Sequence, residues 1–147
     1  MNSTRVGILI IAHNDIGRQL LDTATDMLDR SSPQLRSLEV KQDDDPVHLL
    51  TRARRLLNEI QQGVGVLVMT DMYGSTPSNI AHRLCESPAE RHAEGATETP
   101  PKVRVVSGIN LPMLVRALNY ADLPLDELVH KALSGGREGI LDASEQA

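Results

Sequence analysis

Four short apolar runs, separated by stretches of helical periodicity, set the pattern of this chain. Val6 to Ala12 is continuous and apolar, as in a strand buried on both faces. Leu35 to Val40 alternates roughly apolar and polar, as an edge or half-buried strand does. Val64 to Met69 and Val103 to Ser107 are again nearly continuous, the latter broken only by Arg104. Between and after these runs, apolar residues recur at helical spacing. Ile16, Leu20, Leu21, Ala24, Met27 and Leu28 form one such set, and Val47, Leu50, Ala53, Leu57 and Ile60 a second. Ile80, Ala81 and Leu84 mark a third helix, Met113, Leu114, Ala117 and Leu118 a fourth, and Leu125, Leu128, Val129, Ala132 and Leu133 a fifth.

The punctuation agrees with this reading. Asn14 or Asp15 can cap the first helix, and Ser31-Ser32-Pro33 breaks it. Asp43-Asp44-Asp45-Pro46 places carboxylates and a proline at the start of the second, and Gly63 ends it. Thr76 as N-cap and Pro77 as first helical residue open the third, after a turn over 71–75 with Gly74 as its permissive residue. Gly108-Ile109-Asn110 turns the chain into a helix at Leu111-Pro112, and Pro124 opens the last one. Gly135-Gly136 is expected to terminate that helix, leaving Arg137 to Asp142 as a short final strand or a frayed tail. Ser87 to Pro101 holds no large apolar residue, three Pro and three Glu, and reads as a mobile, solvated loop.

The order is β-α-β-α-β-α-β-α-α over a single domain, residues 1–147. It predicts a doubly wound α/β fold: a mainly parallel sheet of about four strands with helices on both faces, plus a short C-terminal antiparallel strand or tail over 137–147. Composition fits, since Trp and Phe are absent and Tyr occurs twice, so the core must be aliphatic. The net charge of −5, without a basic stripe or aromatic platform, argues against a nucleic-acid partner. Cys85 is the only cysteine, which excludes an internal disulfide and suits a reducing compartment. The longest apolar run is too short to span a bilayer and no signal peptide is evident, so a cytoplasmic location is expected.

In such a fold three strands would end on one sheet edge at His13, at Asp71 and at Gly108 to Asn110. Ligands of open α/β sheets bind at that edge, and helix N-termini there favour phosphate. His13, just past a buried strand, could serve as nucleophile, base or ligand; the bland alternative is a strand-end histidine. Asp71 shifts the balance, because a carboxylate at a neighbouring strand end can fix the imidazole tautomer and leave the other nitrogen free to attack. Thr76 could donate its hydroxyl to a phosphate, and Gly74 and Ser75 their backbone N–H groups, although each also suits a plain turn or cap. A metal site from His13, Asp15 and Asp71 lacks the usual spacing. No GxGxxG, GxxxxGK[ST] or GxSxG is present.

The segments GILIIAHNDIGRQLLDTA, GVGVLVMTDMYGSTPSNIA, VRVVSGINLPMLVRAL and SGGREGI, in this order, resemble the EIIA component of the mannose class of the sugar phosphotransferase system. The likeness covers about residues 6–142. Its most specific parts are the D-x-x-G-[GS]-[ST]-P-x-N block at Asp71 to Asn79 and the G-[IV]-N-[IL]-P-M block at Gly108 to Met113. The resemblance implies that His13 is the phosphorylated residue, Asp71 its hydrogen-bonding partner, and Asn14, Met72, Tyr73, Gly74, Ser75 and Thr76 the phosphate pocket. It further implies a phosphotransferase carrier with the small carrier HPr as donor and an EIIB component as acceptor. Neither metal nor organic cofactor is required. The protein would meet the membrane only indirectly, through other components. A homodimer is implied, in which the 137–142 segment crosses to the other subunit. Met72 stands where many members have Thr, and 87–101 is longer than usual. With no linker to an EIIB domain, a stand-alone EIIA is expected. The alternatives are a phosphohistidine subunit of a dihydroxyacetone kinase and a regulatory binding module.

Overall fold

The computed structural model describes residues 4–29, 34–86 and 101–146. Its elements alternate: β1 (Gly7–His13), α1 (Ile16–Leu28), β2 (Leu35–Val40), α2 (Pro46–Ile60), β3 (Val66–Thr70), α3 (Thr76–Cys85), β4 (Val103–Ser107), α4 (Leu111–Asn119) and α5 (Leu125–Glu138). All strand pairs are parallel and the order is β2-β1-β3-β4.

The continuous apolar runs take the central positions. Ile8, Leu9, Ile10 and Ile11 of β1 and Leu67, Val68 and Met69 of β3 have no solvent exposure. Burial of each such side chain contributes about 1.5–3 kcal/mol. Their alternation supplies two cores. Ile8, Ile10, Leu67 and Met69 pack with α1, α4 and α5, through residues such as Leu114 and Leu128. Leu9, Ile11, Val66 and Val68 pack with α2 and α3, through Leu57 and Ile80. The alternating run Leu35–Val40 lies at the sheet edge, where one half-buried face suffices.

The strand order has one consequence for function. From β1 the chain passes through α1 to β2 on one side, then returns through α2 to β3 on the other side of β1. The connections leaving β1 and β3 therefore lead to helices on opposite faces, and a crevice opens between the C-terminal ends of these two neighbours. Gly17 brings α1 down onto β1: a Cβ there would lie 2.7 Å from Ile10 Cγ2.

Several boundaries differ from the sequence expectation. β3 begins at Val66, because Gly65 has φ +99° and packs under Leu125 while Val64 is exposed. α2 ends at Ile60, with Gln61 as C-cap, and Gly63 lies in the loop beyond it. Ser75, not Thr76, is the N-cap of α3. Gly135-Gly136 does not stop α5, which runs on to Glu138. Both glycines serve close packing instead, since a Cβ on Gly135 would meet Arg116 Cβ at 2.7 Å and one on Gly136 would meet Met113 Cε at 2.7 Å. Arg137 and Glu138 are thus helical, and no strand forms over 139–142 in the single chain. A short 3-10 helix, Ala143–Gln146, follows. The Ser31-Ser32-Pro33 break and the loop over 87–100 lie outside the described residues.

Candidate active site

His13 is the last residue of β1 and Asp71 the first beyond β3, so the two stand on either side of the crevice. Asp71 Oδ2 accepts two hydrogen bonds from His13, from the backbone N–H at 3.1 Å and from ring Nδ1 at 2.8 Å. An ionised carboxylate only accepts, so Nδ1 carries the proton and Nε2 keeps its lone pair. The aspartate side chain is 15% exposed and the imidazole 39%. The carboxylate is thus largely withdrawn from water while the ring remains reachable. Asp71 Oδ1 is buried without a partner, as is the Ser78 hydroxyl in the first turn of α3.

Backbone groups from two helices surround this pair. Asn14 adopts a left-handed conformation, φ 51°, which asparagine tolerates better than most residues. Its N–H donates to Val40 O at 2.9 Å. Asp15 is the N-cap of α1 but makes no side-chain cap bond, so the N–H groups of 16–18 lack intrahelical partners. At α3, the first intrahelical bond runs from Asn79 N to Ser75 O. That leaves the N–H groups of Thr76 and Ser78 directed out of the helix start. The Ser75 hydroxyl donates to Met72 O rather than capping the helix. Such N-termini stabilise a bound anion through their dipoles as well as their donors.

Of the residues singled out from sequence, His13, Asn14 and Thr76 line one cleft of ≈ 520 Å³. Met72, Tyr73, Gly74 and Ser75 form the turn joining Asp71 to α3; Gly74 has φ +83°, and the Tyr73 ring meets His82 edge-on at 6.1 Å. Asn110, at the third strand end, serves the scaffold. It caps α4 by accepting from Met113 N at 2.9 Å and donates to Gly136 O at 3.0 Å. The rest of the cleft wall escaped the sequence reading. It comes from the end of β2 and the start of α2: Val40, Lys41, Gln42, Asp44 and Pro46. The usable signal was that β2, being parallel, also ends on this edge; its place beside β1 depends on strand order, which periodicity does not encode. Among the described residues no group of three or more His, Cys, Asp or Glu is placed to hold a metal ion.

A tautomer-fixed imidazole at a sheet switch point, flanked by two anion-receptive helix starts, is equipped for nucleophilic attack on phosphorus while the helix starts hold the anionic oxygens. Residues 7–133 match the family model EIIA-man, described as PTS system fructose IIA component, and the chain belongs to that family. It is 30% identical over 137 residues to the "PTS system mannose-specific EIIAB component" of Escherichia coli strain K12. The match covers 92% of this chain but only 38% of that relative. Among solved structures, the phosphotransferase system component EIIA from Streptococcus agalactiae superposes with a TM-score of 0.78 at 25% identity, covering 95% of this chain and 98% of the other. The mannose/sorbose-specific IIA subunit from Enterococcus faecalis shares the fold, with a TM-score of 0.74 at 20% identity over 94% of each chain. No helix of the described residues is long and apolar enough to cross a membrane.

Proposed function

We propose that this protein is a phosphocarrier of a sugar phosphotransferase system, loaded on Nε2 of His13. The observation that carries this reading is the 2.8 Å contact between His13 Nδ1 and Asp71 Oδ2, which leaves a single ring nitrogen open at the mouth of the site. The donor is the phosphohistidine of an HPr-type carrier. The Nε2 lone pair forms the new N–P bond as the donor's P–N bond breaks, and that electron pair leaves on the donor imidazole. The His13 ring becomes cationic and keeps its Nδ1 proton toward Asp71, whose charge stabilises it. Such transfers depend mainly on positioning and on electrostatic stabilisation of the phosphoryl oxygens. The N–H groups of 16–18, Thr76 and Ser78, together with the Thr76 hydroxyl, supply that stabilisation, with Asn14 and the 72–75 turn shaping the pocket. Transfer to an EIIB component then reverses the chemistry. The protein acts in the cytoplasm and pairs as a homodimer.

Incubation with phosphoenolpyruvate, enzyme I and HPr tests this reading. Phosphorus NMR should report one phosphohistidine, absent in His13→Ala and retained in His82→Ala and His130→Ala. Uptake that survives His13→Ala refutes it.

A further inference from the structure

We propose that Lys41 is a phosphoryl-binding residue of this site, drawing the anionic donor group toward His13 by its charge. The inference rests on the phosphocarrier reading and adds a residue to it. Three observations support it. First, position: His13 pairs in register with Val40 across the parallel β1–β2 ladder, and Lys41 is the next residue along. Neighbouring strands are about 4.8 Å apart, so the two backbones run side by side at this edge. Lys41 lines the same cleft as His13, Asn14 and Thr76, and among the described residues it is the only Lys or Arg to do so.

Second, the backbone there is fixed. Lys41 N–H donates to Asp44 Oδ2 at 2.8 Å and Lys41 O accepts from Asp44 N at 3.1 Å. Asp44, the one carboxylate among the described residues that lines the cleft, is thereby occupied with the backbone. Third, the ammonium is uncommitted. Arg18, Lys102, Arg104 and Arg116 are all ion-paired, whereas Lys41 has no ion pair among the described residues. In a chain of net charge −5, with Asp15, Asp43, Asp44, Asp45 and Asp71 at this end, a dianionic phosphoryl group would otherwise meet a repelling field. A free lysine in the cleft wall offsets it. Lysine acts here as a mobile point charge, so arginine can replace it in charge.

The test uses phosphoramidate, a small phosphoryl donor that needs no protein partner. The His13 Nε2–P bond forms, the donor P–N bond breaks, and ammonia leaves with its electron pair. The second-order rate of phosphohistidine formation is measured at low and at about 1 M salt. The expected result is a rate about three- to tenfold lower for Lys41→Gln at low salt, the size of a partly exposed charge interaction. Lys41→Arg should stay near the parent protein, and the gap should close at about 1 M salt, where the screening length is about 3 Å. Lys131→Gln, an equal charge change on α5, should leave the rate unaltered. An unchanged rate in Lys41→Gln overturns the inference and leaves the phosphocarrier reading intact. So does a loss that Arg does not rescue, that salt does not screen, or that Lys131→Gln matches. Failure of the parent protein to form phosphohistidine at His13 removes both.

Discussion

Asp71 holds His13 twice with one oxygen: Oδ2 accepts the backbone N–H that ends β1 and the Nδ1 proton of the ring. The carboxylate therefore fixes ring orientation and tautomer together. Asn at this position still offers an oxygen to both donors but carries no charge to balance an imidazolium. Asp71→Asn should fold with near-parent stability and transfer phosphoryl groups on the order of a hundredfold or more slower. Circular dichroism and a single-turnover phosphorylation assay separate the two effects. An unchanged rate would reduce Asp71 to a strand-end cap.

Gly135→Ala should destabilise the protein although alanine is the better helix former. The gain in helix propensity is about 1 kcal/mol. Against it stands a Cβ placed 2.7 Å from Arg116 Cβ and 3.3 Å from the Pro112 carbonyl oxygen, neither of which can swing away. Overpacking of this kind costs about 1–3 kcal/mol. Gly136→Ala should be milder, because its nearest neighbour is the flexible end of Met113. Urea unfolding of the two variants gives the order.

Asn110→Ala should lose about 1–2 kcal/mol of stability, from the α4 cap and the link to Gly136 O. Its phosphorylation rate should match the parent protein. A loss of rate with full stability would move Asn110 from the scaffold into the chemistry.

The Asp126 carboxyl lies below its ordinary value, chiefly through hydrogen bonds from Lys102 and Arg104 of the β4 region. A lowered folded-state pKa adds stability that is fully present above the unfolded value, about 3.9, and fades as pH falls through the folded one. The melting temperature of Asp126→Asn should therefore sit slightly below that of the parent at neutral pH. The two should converge as the pH falls through the folded-state value. A difference that persists in acid would assign the effect to packing.

Ile140 and Leu141 are 75% and 54% exposed just beyond α5, and β4 is an edge strand. An unpaired strand edge and an uncovered apolar tail suit each other across a two-fold axis. Removal of 140–147 should shift the sedimentation of the protein from dimer toward monomer. A truncated chain that sediments as an equally stable dimer would contradict the pairing.

Strand and helix identity was legible wherever periodicity alone decides it, as in Val6 to Ala12 or Val47 to Ile60. The His13–Asp71 pair was legible because both follow apolar runs whose C-terminal ends share one edge of a parallel sheet, where a carboxylate can reach an imidazole. Three things were not. The role of Gly135-Gly136 depends on the distance between α4 and α5, and a diglycine looks the same whether it ends a helix or lets one approach. The N-cap falls on Ser75 rather than Thr76 through the extended backbone at Ser75, while the Ser75 hydroxyl goes to the Met72 carbonyl, a local contact with no composition signature. Lys41 and its neighbours enter the site only through the β2-β1-β3-β4 order, which is a property of the assembled sheet.

On the phosphocarrier reading, with Nδ1 committed to Asp71, His13 offers partners one docking berth. Donor and acceptor would each present their reacting atom to the same nitrogen, so they would alternate rather than pass the group along in a ternary complex. Steady-state traffic should follow ping-pong kinetics, and an excess of unloaded acceptor should slow loading by occupying the berth. Relative abundance of the two partners would then set how long the phosphoryl group waits on His13.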